Sequence, residues 1–163
     1  MTNWYVASCK TNNNGQDTAE YNLLAQGFEV FNPKAKVEKI RKGVVSLKVE
    51  PVFPGYIFIE FDPFVQSAAT INSTKGVKKL VSFGGALKPV PSEVIEGIKD
   101  AFSSPNYKIS MLPKKGGTVE INKGPMAGLN AVFLEPNGLE RSFLLVKILG
   151  SNKRIDVYNS QFS

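Results

Sequence analysis

Glu50-Pro51-Val52-Phe53-Pro54-Gly55-Tyr56-Ile57-Phe58-Ile59-Glu60-Phe61-Asp62-Pro63 is the stretch on which the fold turns. Prolines at 51, 54 and 63 bracket a run whose aromatic and β-branched residues suit an extended strand of ordinary length. In that strand Pro54-Gly55 makes a turn or bulge, Tyr56, Phe58 and Glu60 share one face, and Ile57, Ile59 and Phe61 share the other. Both faces are largely apolar, which makes this a central strand. The Tyr56/Phe58 face needs a cover of its own, either another layer of the chain or a partner.

On the N-terminal side, Trp4-Tyr5-Val6-Ala7-Ser8-Cys9 reads as an opening strand, followed by a polar Thr11-Asn12-Asn13-Asn14-Gly15 loop. A helix is expected from Asp17 to Gln26, with Ala19, Leu23 and Leu24 toward a core and Gly27 as its stop. Phe28 to Phe31 forms a second strand. The basic segment from Lys34 to Lys48 reads as a hairpin turning near Arg41-Lys42-Gly43, with a solvated tip.

On the C-terminal side, Asp62 is placed to cap a short helix through Val65, Ala68 and Ala69 toward Ile71, with Pro63 at its first position. Val77 to Phe83 reads as one further strand, ended by Gly84-Gly85. Leu87 to Val90 is a short extended piece. Pro91-Ser92-Glu93 then opens an amphipathic helix with Val94, Ile95, Ile98, Ala101 and Phe102 on its apolar side. The expected organisation is an α+β N-terminal domain over residues 1–102, a linker over 103–115 and a small C-terminal unit over 116–163.

The totals bound the function. The 163 residues carry a net charge of +6 and a 42% hydrophobic share, ordinary for a globular chain, and the basic balance favours polyanionic partners. Histidine is absent and Cys9 is the single cysteine, which removes the commonest general base and the usual zinc-ligand sets and leaves no internal disulfide. Glu60 and Asp62 are the one close acid pair in a strong motif, and helix capping explains Asp62 better than catalysis. Gly84-Gly85 and Gly116-Gly117 lack the lysine and hydroxyl residues of a phosphate loop. The chain is therefore read as a binding protein and not an enzyme, with no cofactor and no metal. No stretch is long and apolar enough for a membrane span, and the N-terminus lacks the layout of a secretion signal. A cytoplasmic monomer is expected.

Several motifs, taken together and in order, carry a family resemblance. They are Trp4-Tyr5 with Cys9-Lys10, the whole Glu50–Pro63 segment, Thr70-Ile71-Asn72-Ser73-Thr74-Lys75-Gly76-Val77, and Gly116-Gly117-Thr118-Val119-Glu120-Ile121 followed by Gly124-Pro125-Met126-Ala127-Gly128. The chain resembles the NusG-type transcription elongation factors, and more closely their specialised RfaH branch of antiterminators. The last motif resembles a KOW element. The resemblance implies an N-terminal antiparallel sheet with flanking helices, binding the clamp helices of RNA polymerase through Phe53, Tyr56, Phe58 and Val81. It implies contact with single-stranded non-template DNA in the transcription bubble through Lys10, Asn72, Thr74 and Lys75, with Trp4 beside them. Lysines suit phosphate, Asn and Thr suit base edges or sugar, and rings suit unpaired bases.

Two segments depart from the RfaH pattern. Ser67-Ala68-Ala69 replaces a His-Thr-Thr element that touches the polymerase gate loop, and Thr18 and Asn22 replace DNA-reading residues of the first helix. A different DNA preference is expected.

For the C-terminal unit the residues support two shapes. Asn137-Gly138 between Val132-Phe133-Leu134 and Phe143-Leu144-Leu145-Val146 is a β-hairpin signal, while Leu139, Phe143, Val146 and Gly150 keep helical spacing. The resemblance names the same two: an α-helical hairpin at rest, or a five-stranded β-barrel. Ala131 stands where a KOW motif usually has glycine, which favours a helix by roughly 1 kcal/mol. Glu50 and Arg141 match positions that form an interdomain ion pair in the helical state. In that state Phe133, Leu144 and Leu145 would cover Phe53, Tyr56 and Phe58. Once released, the unit would form the barrel and contact a small-subunit ribosomal protein.

Overall fold

The computed structural model describes residues 2–102, 108–109 and 129–150. In chain order the elements are β1 (Asn3–Cys9), α1 (Gly15–Ala25), β2 (Glu29–Phe31), β3 (Lys34–Arg41), β4 (Val44–Pro51), β5 (Tyr56–Phe61), α2 (Ala68–Asn72), β6 (Val77–Leu80), β7 (Ser82–Phe83), β8 (Ala86–Leu87), α3 (Ser92–Phe102), β9 (Lys108–Ile109), α4 (Leu129–Leu134) and α5 (Gly138–Gly150). They fall into two compact units, Met1–Pro33 with Phe53–Ser92 and Lys34–Val52 with Glu93–Ser163. The expected 103–115 linker lies, apart from 108–109, outside the described residues, as does the KOW-like run 116–128.

The first unit is built on a four-stranded sheet of order β2-β5-β1-β6, in which every neighbouring pair is antiparallel. The Glu50–Pro63 segment thus supplies a central strand, β5, paired on one side with β1 and on the other with β2. Period-two alternation sends Tyr5, Ala7 and Cys9 of β1 to the same face as Ile57, Ile59 and Phe61 of β5. There they pack with Ala19 and Leu23 of α1, Phe28, Ile71 of α2, and Val77 and Leu80 into one core. Burying these side chains is the main force holding sheet and helices together, at roughly 1.5–3 kcal/mol for each large one.

Several local expectations change. The first helix begins at Gly15, because Asn13 and Asn14 take left-handed backbone (φ 53 and 56) and turn the chain into it early. Its buried stripe is Gly15, Gln16, Ala19 and Leu23, and Leu24, one residue round from that stripe, is exposed. Asp62 does not cap α2. Its carboxylate accepts from the Phe64 amide at 2.9 Å in a local turn, and Ser67 caps the helix by accepting from Ala69 N at 3.1 Å. The expected strand from 77 to 83 divides at Val81, whose amide donates to Val6 O at 2.8 Å. Beyond it β7 and β8 close a tight hairpin over Gly84-Gly85, both at positive φ.

In the second unit β3 and β4 pair over their full lengths, from Lys34↔Pro51 to Arg41↔Val44. The turn between them is Lys42-Gly43, with φ 52 and 77, the left-handed pair that a two-residue hairpin loop requires. One face of the hairpin buries Ala35 and Val37; the other leaves Ile40, Val45, Leu47 and Val49 exposed. β9 adds in parallel beside β3. Helix α3 buries Val94, Ile95, Ile98 and Phe102, as its periodicity requires, and the Phe102 ring meets Phe133 of α4 edge-on at 5.5 Å.

Residues 129–134 and 138–150 are helical, so, of the two shapes open to this segment, the described residues take the helical one. Asn137-Gly138 does not turn a β-hairpin. Asn137 caps α5, its side-chain oxygen accepting from Glu140 N at 3.0 Å and its carbonyl from Arg141 N at 2.9 Å. Val132, Leu145 and Leu149 are buried, while Leu134, Leu139 and Phe143 are exposed.

Candidate nucleic-acid and partner interface

Two surfaces of the first unit carry half of the site residues singled out in the sequence. The first is the sheet face opposite the core. Rings run across it from Trp4 to Phe31 (6.4 Å between centroids), Phe31 to Phe58 (5.7 Å) and Phe58 to Phe53 (6.0 Å). Edge-to-face and tilted contacts of this kind each add about 0.5–1.5 kcal/mol beyond area burial. Phe53 and Phe58 have no accessible surface, whereas Tyr56 and Val81 are half-buried. Trp4 belongs to this ring run, and its backbone also bridges Val90, whose amide donates to Trp4 O at 2.7 Å.

The turn that carries Phe53 into β5 is held from α1. Gln16, buried at the start of that helix, points its amide nitrogen at Phe53 O (3.2 Å), Tyr56 O (3.0 Å) and Asn32 Oδ1 (3.0 Å). Its side-chain oxygen accepts from Gly55 N at 2.8 Å. Gly55 stands at φ 86 and its carbonyl accepts from Cys9 N at 2.8 Å, so the Pro54-Gly55 turn is fixed from two sides. The Cys9 thiol is sealed in the core, and burial pushes its pKa up to about 12.

The second surface is a cleft of about 230 Å³ lined by Lys10, Asn12, Asn13, Gly15, Thr18, Lys75 and Gly76. It brings together two residues far apart in sequence, Lys10 at the end of β1 and Lys75 after α2, both exposed. Its shape depends on two glycines. A side chain at Gly76 (φ 98) would meet Ala19 N and Gly15 O at 2.5 Å, and one at Gly15 would strike the Lys10 carbonyl. Lys10 N donates to Gly76 O at 2.9 Å, closing the cleft floor.

Asn72 and Thr74 do not line the cleft. The Asn72 side chain accepts from Leu80 N at 2.7 Å, and the buried Thr74 hydroxyl donates to Thr70 O at 2.8 Å while accepting from Gln26. Both shape the loop that presents Lys75, whose carbonyl is itself held by Asn22 Nδ2 at 3.3 Å. Thr18, which the sequence placed at a DNA-reading position of the first helix, lines the cleft, whereas Asn12 and Asn13 are cleft residues that sequence reasoning missed, although the Asn12-Asn13-Asn14 run, tolerant of left-handed backbone, was the signal available.

The expected ion pair between Glu50 and Arg141 is not the one formed. Glu50 Oε1 pairs with Lys39 Nζ at 3.1 Å on the same face of the β3–β4 hairpin, with both side chains more than a third exposed. Arg141, 2% exposed, instead donates from Nε to Val52 O at 2.7 Å and from a terminal nitrogen to Glu135 O at 2.6 Å. Of the apolar residues expected in the C-terminal hairpin, Leu145 is buried, while Phe133 and Leu144 are half-buried.

The ring-lined sheet face and the two-lysine cleft are the two candidate surfaces of the first unit. The chain belongs to the NusG family: the family model described as "Transcription termination factor nusG" matches residues 2–99, more than half of the sequence. The transcription termination/antitermination protein NusG of Neisseria meningitidis serogroup B is 27% identical over 141 residues, 82% of this chain and 77% of that protein. Its counterpart in Deinococcus radiodurans is 26% identical over 155 residues, 82% of this chain and 80% of that protein. Among solved structures, one concerned with domain interaction in Thermotoga maritima NusG is similar with a TM-score of 0.40 and 21% identity, covering 77% of this chain and 75% of that one.

Proposed function

We propose that this NusG-family protein is a specialised elongation and antitermination factor of the RfaH type. Phe53, Tyr56, Phe58 and Val81 form its contact with the clamp helices of RNA polymerase. Lys10 and Lys75, the latter presented by the loop that Asn72 and Thr74 shape, meet the single-stranded non-template DNA, with Trp4 on the neighbouring ring face. The C-terminal unit is autoinhibitory at rest and, once released, refolds toward a barrel that recruits a small-subunit ribosomal protein.

The observation that carries this reading is the helical state of 129–150, in a segment whose sequence also supports strands. Exposed Leu134, Leu139 and Phe143 fit a segment whose apolar residues serve a second packing.

Backbone NMR of the full chain, beside Arg141→Ala, tests it. Helical shifts over 129–150 that move toward strand values in the variant, with tighter binding to RNA polymerase, are the expected result. Strand shifts in both proteins would leave a constitutively open general elongation factor.

A further inference from the structure

The apolar contact proposed above depends on how the chain enters β5, and that entry is governed by a residue which no motif singles out. We infer that Gln16 is the positioning residue of the partner-binding segment. It acts through Gly55, and the inference rests on the reading that Phe53 and Tyr56 touch the polymerase. Four polar contacts converge on one buried amide: the carbonyls of Phe53 and Tyr56, the Asn32 side chain and the Gly55 amide. The residues on either side of Pro54-Gly55 are therefore held by the same side chain that holds the turn itself.

Only an amide does this. Its nitrogen supplies protons to the carbonyls while its oxygen takes the Gly55 proton, and neither a carboxylate nor an apolar isostere can do both. The partners lie 37 and 40 residues away in sequence, so this is tertiary positioning and not helix capping. The neighbouring Gly15 lines the lysine cleft, which places the clamp in the one turn of α1 that borders both surfaces.

The test uses the full chain and compares Gln16→Met and Gln16→Glu with wild type, alone and combined with Phe53→Ala. Equilibrium binding to core RNA polymerase and native-state hydrogen exchange of the Gly55 amide are both read, after thermal melts have shown each variant folded. Gln16→Met is expected to speed Gly55 exchange and weaken binding about tenfold, as loss of a buried hydrogen-bonded partner does. Gln16→Glu, which keeps the acceptor for Gly55 but sets a carboxylate against two carbonyls, is expected to weaken binding as well. With Phe53→Ala already present, each change weakens binding by less than it does alone, because only Tyr56 is left to position.

Unchanged Gly55 exchange in Gln16→Met overturns the clamp whatever the partner is. Binding weakened by Phe53→Ala but untouched by either Gln16 variant, or losses that simply add, overturns the positioning role and leaves the polymerase reading standing. A folded chain that binds polymerase neither as wild type nor with Arg141→Ala overturns that reading instead, and the exchange result then decides the clamp alone.

Discussion

Arg141 Nε lies 2.7 Å from the carbonyl oxygen of Val52, and the two are 89 residues apart in sequence. The contact fastens α5 to the end of the segment that leads into Phe53, through a buried cation on a backbone acceptor. Replacing Arg141 by Ala would leave that carbonyl and the Glu135 carbonyl without their charged donor. A loss of about 2–4 kcal/mol is expected, since breaking one side of a buried charged contact strands the other. Chemical denaturation of the full chain measures it. A loss under about 1 kcal/mol would show that the contact is dispensable.

Glu50→Ala is expected to behave differently. Its partner is Lys39 and both side chains are more than a third exposed, so the pair contributes no more than about 1 kcal/mol and is weakened by salt. The variant should melt within a few degrees of wild type. If Glu50→Ala and Arg141→Ala were equally disruptive, the separate bonding of these two residues would not describe the protein in solution.

Gly76→Ala should be among the most damaging single-methyl changes in the first unit. The added carbon would sit 2.5 Å from Ala19 N and Gly15 O, both backbone atoms of α1, at a φ of 98 that alanine resists. About 2–4 kcal/mol is expected from strain and clash together. Gly84→Ala, which meets no atom within 4 Å, should cost only the smaller penalty of its φ of 63. Thermal melts of the two variants make the comparison.

Cys9 gives a pH signature. Its thiol stays neutral in the fold up to about 12 but ionises from 9.0 in a chain without that burial, so between those values the native state holds the extra proton. The contribution is fully present below 9.0 and declines as pH rises toward 12, at about 1.4 kcal/mol per pH unit for this one group. Cys9→Ala should flatten that part of the stability profile relative to wild type. At neutral pH the native thiol should also resist a disulfide reagent that modifies the unfolded chain quickly.

Lys10→Ala and Lys75→Ala should each weaken binding of a single-stranded oligonucleotide and lower the slope of log affinity against log salt by about 0.7. Lys34→Ala on the hairpin, which does not line the cleft, serves as the comparison. Equal effects from all three would mean that net charge rather than the cleft attracts the strand.

How far the sequence could be read depended on the range of the interaction. The two faces of β5 follow from alternation alone, and Ile57, Ile59 and Phe61 are core residues as that pattern requires. The apolar stripe of α3 follows in the same way from its 3.6-residue period. Gln16 was invisible because a glutamine after Asn12-Asn13-Asn14-Gly15 reads as solvated loop, and its acceptors are defined only once β5 folds beside α1. The partner of Glu50 was missed for a related reason: Lys39 becomes its neighbour through hairpin register, which a pairing carried over from relatives does not encode. Asn137-Gly138 carried two meanings, turn and helix cap, and local propensity could not choose between them.

The strand order β2-β5-β1-β6 also sets a timetable for synthesis. β1 leaves the ribosome first, yet both of its neighbours, β5 and β6, are encoded after residue 55. The first strand made therefore waits unpaired while the β3–β4 hairpin, whose partners are adjacent in sequence, can close at once. Assembly of the N-terminal sheet is a late, non-local event, and translation pauses placed before and after the codons for Tyr56–Phe61 should have opposite effects on the yield of folded protein.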